Sequence, residues 1–397
     1  MADCVIPEGY KETALGVVPK EWEVKRLGDI CSYFKSGESI TSKDISEKGK
    51  YPVYGGNGLR GYTDKKYTHD GTYILIGRQG ALCGNINYVI GKCYISEHAI
   101  AVQTKNNSLW LRYKLDFWNL NRYSESSAQP GLSVEKLIRY KLTVPPLGEQ
   151  QKISEVLSVW DKAIEKQTQL IEKLELRKKG LMQQLLTGKK RLPGFGGEWK
   201  KVKLGEIGIF FKGFGVSKDE IKSYERYKCL TYGDIYTKYE IKIENVRSFI
   251  SQDVANISKQ IQYGDICFAS SGETTKDIGK CAVFVDGDIG YAGGDIIIFR
   301  NKTNVNPITL AYILNSEEVN KQKSSLGQGH SVVHIYISNL EKITIKIPDI
   351  EEQNAIAEIF TSCDKEIYLA NQELKSLHQQ KKGLMQVLLT GKKRVKQ

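Results

Sequence analysis

Two stretches, YGGNGLRGY (54–62) and IGRQGALCGN (76–85), set Asn57, Arg60, Arg78, Gln79 and Asn85 among glycines. These side chains can form paired hydrogen bonds with base edges: arginine matches guanine, and asparagine or glutamine matches adenine. Two further stretches, ASSGETTKD (269–277) and LGQGHSVVH (326–334), offer Ser270, Ser271, Thr274, Lys276, Gln328 and His330 in similar settings. The chemistry available is recognition. Each residue also has a plainer use, since polar loop side chains commonly cap turns. Tyr54, Tyr62, Tyr227 and Tyr232 suit stacking or phosphate contact, or simple packing under a turn.

Two basic clusters lack acids, Lys189, Lys190, Arg191 and Lys392, Lys393, Arg394. They suit neutralisation of phosphates or docking of a partner protein. The alternative is a solvated helix end, where the dipole favours cations anyway.

Catalytic motifs are matched only in letters. Gly56-Asn57-Gly58-Leu59-Arg60-Gly61 has the form G-x-G-x-x-G, but no helix opens after it as a dinucleotide site requires. Neither TGKK segment is a phosphate-binding loop, since Gln183 stands five residues before Gly188 and no Ser or Thr follows the lysines. His330 and His334 lack the glutamate of a zinc protease and a third ligand. Pro348-Asp349 with Glu373-Leu374-Lys375 resembles a nuclease set, yet it straddles a heptad helix and reads as helix surface. No N/D-P-P-Y/F methyltransferase motif occurs, and the eight cysteines form no C-x-x-C pair, so no metal site is expected.

The elements that must carry these loops emerge from the chain's internal repetition. KKGLMQQLLTGKKR (178–191) returns as KKGLMQVLLTGKKR (381–394), with 13 of 14 residues the same. At an offset of 203, residues 149–191 align with 352–394 without gaps, with 22 identities in 43 positions. EWEVKRLGDICSYFK from Glu21 and EWKKVKLGEIGIFFK from Glu198 match at an offset of 177, so the second copy holds about 26 extra residues between its ends.

The repeated tails predict long helices. Ile153, Leu157, Trp160, Ile164, Gln167, Ile171, Leu174, Lys178, Leu181 and Leu185 stand alternately four and three apart, as do their counterparts from Ile356 to Leu388. That is the seam of a coiled coil. Roughly 38 residues make a rod of about 57 Å. Prolines before each tail and Thr-Gly-Lys-Lys-Arg after it punctuate the helices. Between them, short apolar runs such as TYILIG (72–77), AIAV (99–102), DICFAS (265–270) and DIIIF (295–299) predict strands in mixed domains.

The expected fold is α+β: two mixed α/β domains joined by two long antiparallel coiled-coil helices, with pseudo-two-fold symmetry. The segments are 1–148, domain one; 149–191, central helix; 192–348, domain two; and 349–397, C-terminal helix. About ten residues link the first helix to the second domain, so the second helix is expected to run back, holding the domains about 50–60 Å apart. If Ile153 lies opposite Leu388, paired positions sum to 541. Lys178 then meets Cys363 and Asp364, and Lys381 meets Trp160 and Asp161.

The net charge of +12 and pI near 9.0 point to a polyanionic partner. No apolar run approaches the roughly 18 residues of a membrane span, and the N-terminus lacks the features of a signal peptide. A soluble, cytoplasmic protein is expected, with its cysteines reduced.

In this layout, with the PPLGEQQKISEVL and PDIEEQNAIAEIF openings, the KKGLMQ-LLTGKKR endings and the P-EW-V-LG start, the chain resembles the specificity subunit of type I restriction–modification enzymes. The likeness covers essentially the whole chain. It implies two domains that each read half of a split DNA target, and helices that act as a ruler and a docking surface for modification subunits. It implies no catalysis here. Partner subunits would bind S-adenosylmethionine and methylate adenine, and restriction subunits would supply ATP- and Mg-dependent cleavage. SSAQPGLS (126–133) is similar to the family's last recognition loop, which adds Gln129 and Ser133 to the DNA-binding candidates.

The unequal domains imply an asymmetric target, and the duplicated tails imply two modification subunits. A rod-shaped scaffold that binds protein is the alternative, distinguished by whether duplex binding is salt-sensitive. An enzyme that itself modifies DNA is disfavoured by the missing cofactor motifs, since a base to be methylated must be flipped into a pocket.

Overall fold

The four apolar runs become inner strands because both faces of their sheets are covered. In the computed structural model, residues 6–80, 82–124, 131–287, 289–329 and 332–395 are described. The chain divides into two compact units, one of residues 1–169 with 372–397 and the other of residues 170–371.

In unit 1, a four-stranded antiparallel sheet has the order Cys31–Ser36, Ala99–Thr104, Thr72–Gly77, Ile86–Ile90. Ile74, Ile76, Ile100 and Val102 turn to a core with Trp22, Trp110, Ile153, Leu157 and Leu388. Tyr73, Leu75, Ala99 and Ala101 turn to a second cluster with Val89 and Ile95. A three-stranded sheet, Gly58–Thr63, Tyr51–Gly55, Tyr94–Ile95, stands beside it, and Glu23–Arg26 pairs with Lys141–Val144. The helix Ser108–Trp118 starts where the Asn107 side chain accepts from the Trp110 amide, satisfying a first-turn donor.

Unit 2 repeats the plan with additions. Its five-stranded sheet runs Gly208–Lys212, Ile296–Asn301, Ile266–Ala269, Cys281–Phe284, Lys242–Ile243. Its second sheet runs Phe249–Ile250, Tyr227–Leu230, Ile289–Ala292, Lys259–Gln262. Most of the extra length falls in one place: 35 residues separate Leu230 from Ile266, where 16 separate Gly55 from Thr72. A single hairpin strand in unit 1 is replaced there by two short helices and three strands.

The long helices span Leu147–Leu185 and Ile350–Leu388, 39 residues each. Every seam position named from the sequence is buried or half-buried, while Val159, Leu176 and Tyr368 off the seam are exposed. Each unit takes the first half of one helix and the second half of the other, so the compact units cross the linear segments read from the sequence. Within each unit the halves run antiparallel. In unit 1, Ile153 and Leu157 share a core with Met385 and Leu388, while Lys381 reaches Asp161 at 2.5 Å. In unit 2, Leu185 shares a core with Ile356 and Phe360, while Lys178 reaches Asp364 at 2.6 Å. These are the two Lys–Asp contacts that the expected register requires.

Tyrosines complete both contacts, Tyr113 donating to Asp161 and Tyr312 to Asp364. Burial opposes the charge on Lys178, but its bonds to Asp364 and Glu240 outweigh it and raise the pKa. Burial likewise opposes the Asp161 carboxylate, and Lys381 and Tyr113 overcome it to hold the pKa low.

Candidate nucleic-acid interface

In unit 1 the glycine-rich loops are tied together by backbone bonds. The Arg78 amide donates to the His98 carbonyl at 2.9 Å, and the Leu132 amide donates to the Arg78 carbonyl at 2.9 Å. Gln79 bridges Gly131, and Gly77 exchanges bonds with Gly84 and Asn85. A Cβ on Gly77 would lie 2.4 Å from the Leu82 carbonyl, so only glycine lets these loops close. The Gly56–Asn57 turn abuts the same point, Gly56 lying against the His98 carbonyl and the Gly77 Cα.

This knot gathers Asn57, Arg78, Gln79, Asn85 and Ser133, with Arg60 on the strand that leaves the turn. Asn57, Arg60, Gln79 and Asn85 are exposed, and Arg78 and Ser133 half-buried. Neither arginine has an ion pair among the described residues.

Unit 2 ties the same knot. The Ser270 amide donates to the Asp295 carbonyl at 2.9 Å, and the Ile335 amide donates to the Ser270 carbonyl at 3.0 Å. Ser271–Gly272 pairs with Val333–His334, and Gln328 exchanges both backbone bonds with His334. Lys276 and Thr274 lie on the exposed loop beyond, Thr274 bonding Asp277 at 3.0 Å.

Ser271 departs from the expectation of a base contact. It is 6% exposed, and its hydroxyl meets Asp295 Oδ1 at 3.3 Å and His334 Nδ1 at 3.0 Å. The hydroxyl stands between the acid and the imidazole, so no carboxylate orients the histidine as a base for a serine nucleophile.

Tyr227 bonds Gln252 and meets Tyr291 edge-on, Tyr54 is half-buried with its pKa raised by burial, and Tyr232 is exposed. Gln129 and His330 lie outside the described residues. Sequence reasoning missed His98, Asp295 and His334 as parts of the knots. The repeat held a signal, because Gly131 and His334 are 203 residues apart, as are Leu132 and Ile335.

The basic clusters at the helix ends divide by residue. Arg394 bonds Glu149 at 2.7 Å and Glu21 at 2.8 Å, and the Trp22 indole donates to the other Glu149 oxygen at 3.0 Å. In unit 2, Arg191 grips both oxygens of Glu352 at 2.8 and 2.6 Å, and Trp199 donates to it at 3.1 Å. The two glutamate side chains are 2% exposed. Their bonds raise the pKa of both arginines. Arg191 and Arg394 therefore close the helix ends rather than offering free guanidinium groups to phosphate or a docking subunit. Lys189, Lys190, Lys392 and Lys393 remain exposed.

The sequence profile of the Type I restriction modification DNA specificity domain matches twice, over residues 19–176 and 196–379. The chain belongs to this family. The matched spans of this type I specificity subunit are 158 and 184 residues long, and the difference is the 26 residues inferred from the repeat.

The chain is 29% identical over 421 aligned positions to the MjaVIII specificity subunit of Methanocaldococcus jannaschii, covering 98% of this chain and 97% of that one. It is 42% identical over 160 residues to the EcoprrI specificity subunit of Escherichia coli, covering 38% of this chain and 39% of that one. Among solved structures, the S subunit from M. genitalium superposes with a TM-score of 0.61 at 17% identity, covering 92% of this chain and 96% of that one. A chain from a structure of type I R-M complex assembly and conformational transition gives 0.58 at 15%, covering 94% and 99%. At these identities the structural likeness is one of fold. Among the described residues, no helix of the specificity subunit is long and apolar enough to cross a membrane.

Proposed function

We propose that this chain is the non-catalytic, DNA-reading subunit of a type I restriction–modification enzyme, and that each unit reads one half of an asymmetric split target. The observation that carries this reading is the repeated loop knot. Arg78–His98–Leu132 and Ser270–Asp295–Ile335 share one backbone plan, yet they present different side chains. A fixed frame with exchanged polar residues is what reading two different half-sites requires. The insertion between Leu230 and Ile266 makes the second frame larger still.

The long helices, with Val159, Leu176 and Tyr368 exposed, serve as docking surface for two modification subunits. S-adenosylmethionine is bound by those partners, which methylate adenine. ATP and Mg act in restriction subunits where these join. The exposed lysines at the helix ends contact phosphate or dock a subunit.

The test is equilibrium binding of the chain, assembled with its modification subunits, to a duplex containing its methylated motif and to a scrambled duplex. Tighter binding to the motif, with affinity falling steeply as salt rises, is expected. Equal binding to both duplexes, or none at any salt, would overturn the reading and favour a protein-binding scaffold.

A further inference from the structure

We propose that His334 reads a base amine in the half-site of unit 2, using Nε2 as a fixed hydrogen-bond acceptor. This rests on the DNA-reading function above.

The ring is held by a chain of three groups. Asp295 Oδ1 lies 3.3 Å from Ser271 Oγ, which lies 3.0 Å from His334 Nδ1. The carboxylate can only accept, so both bonds form together only when the single hydroxyl hydrogen goes to Asp295. The hydroxyl oxygen must then accept from Nδ1–H. In the neutral ring this leaves Nε2 as a lone-pair acceptor, with no partner among the described residues.

The backbone is held as firmly. His334 and Gln328 exchange bonds of 2.8 and 2.9 Å, and His334 pairs with Ser271 across the short ribbon. The hydroxyl at the middle of the chain belongs to a residue only 6% exposed, while His334 is half-buried and Asp295 exposed.

An acceptor fixed at this place matches the exocyclic amines of adenine and cytosine in the major groove, and it meets only acceptors on guanine and thymine oxygens. Unit 1 has Gly131 at the repeat-equivalent position, so the device belongs to the second half-site alone.

The experiment uses the full chain with its modification subunits and duplexes of the mapped motif. Each adenine or cytosine of the half-sites is replaced singly by purine or 2-pyrimidinone, which lack the amine. At one position the replacement should weaken wild-type binding about tenfold and leave His334→Ala nearly unaffected. Ser271→Ala, which keeps the ring but releases the tautomer, should reduce the dependence on that same amine. This second variant separates reading from mere support of the strand. If both variants keep the wild-type amine dependence at every position while still preferring the motif, the inference is overturned and the DNA-reading function stands. If wild type itself does not prefer the motif over the scrambled duplex, both fall.

Discussion

Lys178 places its ammonium 2.6 Å from the Asp364 carboxylate, and the repeat-equivalent Lys381 does the same to Asp161. An apolar seam tolerates sliding by a heptad, whereas a half-buried ion pair with a tyrosine donor tolerates one register only. Lys178→Met leaves Asp364 with Tyr312 but without its cation. It should cost about 1–3 kcal/mol in chemical denaturation. A loss below the error of the measurement would remove the register role.

The Arg394–Glu149 contact predicts a separation of stability from DNA affinity. Arg394→Ala strands a carboxylate that is 2% exposed and should cost about 1–3 kcal/mol of stability. The slope of DNA affinity against salt should stay unchanged. Lys392→Ala with Lys393→Ala should do the reverse, lowering the slope by about 2 if both contact phosphate and leaving the thermal midpoint in place.

Arg78 and Lys276 should fail in different ways. Arg78→Ala should cost about 1–3 kcal/mol on the true target and relax specificity at one base pair of the first half-site. Lys276→Ala should weaken binding to all sequences alike. Methylation profiling of randomised duplexes distinguishes the two patterns.

Lys114 gives the unit 1 fold a pH dependence. Its buried ammonium donates to the Leu389 carbonyl at 2.6 Å and to Thr143 at 2.9 Å. Burial pushes its pKa from the ordinary 10.5 down to about 7. Between those values the unfolded chain holds a proton that the folded chain has released, so stability rises with pH. This contribution is complete above 10.5 and is lost as pH falls through 7. The thermal midpoint of wild type relative to Lys114→Met should climb between pH 7 and 10. A flat difference would show that the ammonium stays charged in the fold.

What could be read in the sequence was what repeats locally. The 3.5-residue spacing from Ile153 to Leu185 fixed the helices, and the duplication pointed to the antiparallel Lys178–Asp364 and Lys381–Asp161 contacts. The loops around Arg78 and Ser270 were visible as glycine-rich polar stretches between apolar runs. What escaped was long-range. Nothing near Arg394 shows that Glu149 and Glu21, hundreds of residues earlier, will claim its guanidinium. Ser271 looked like any loop serine, because its hydroxyl's partners, Asp295 and His334, arrive from two other segments. Strand order was illegible for the same reason, since each short strand pairs with partners chosen by the whole fold.

In the proposed function this chain selects one split DNA sequence for adenine methylation. The most direct measurement is a genome-wide adenine-methylation map of the source strain with and without the gene, in cells shown by mass spectrometry to produce the modification subunit. One asymmetric bipartite motif should lose its methylation when the gene is removed. Identical maps, or loss at a contiguous motif, would contradict it.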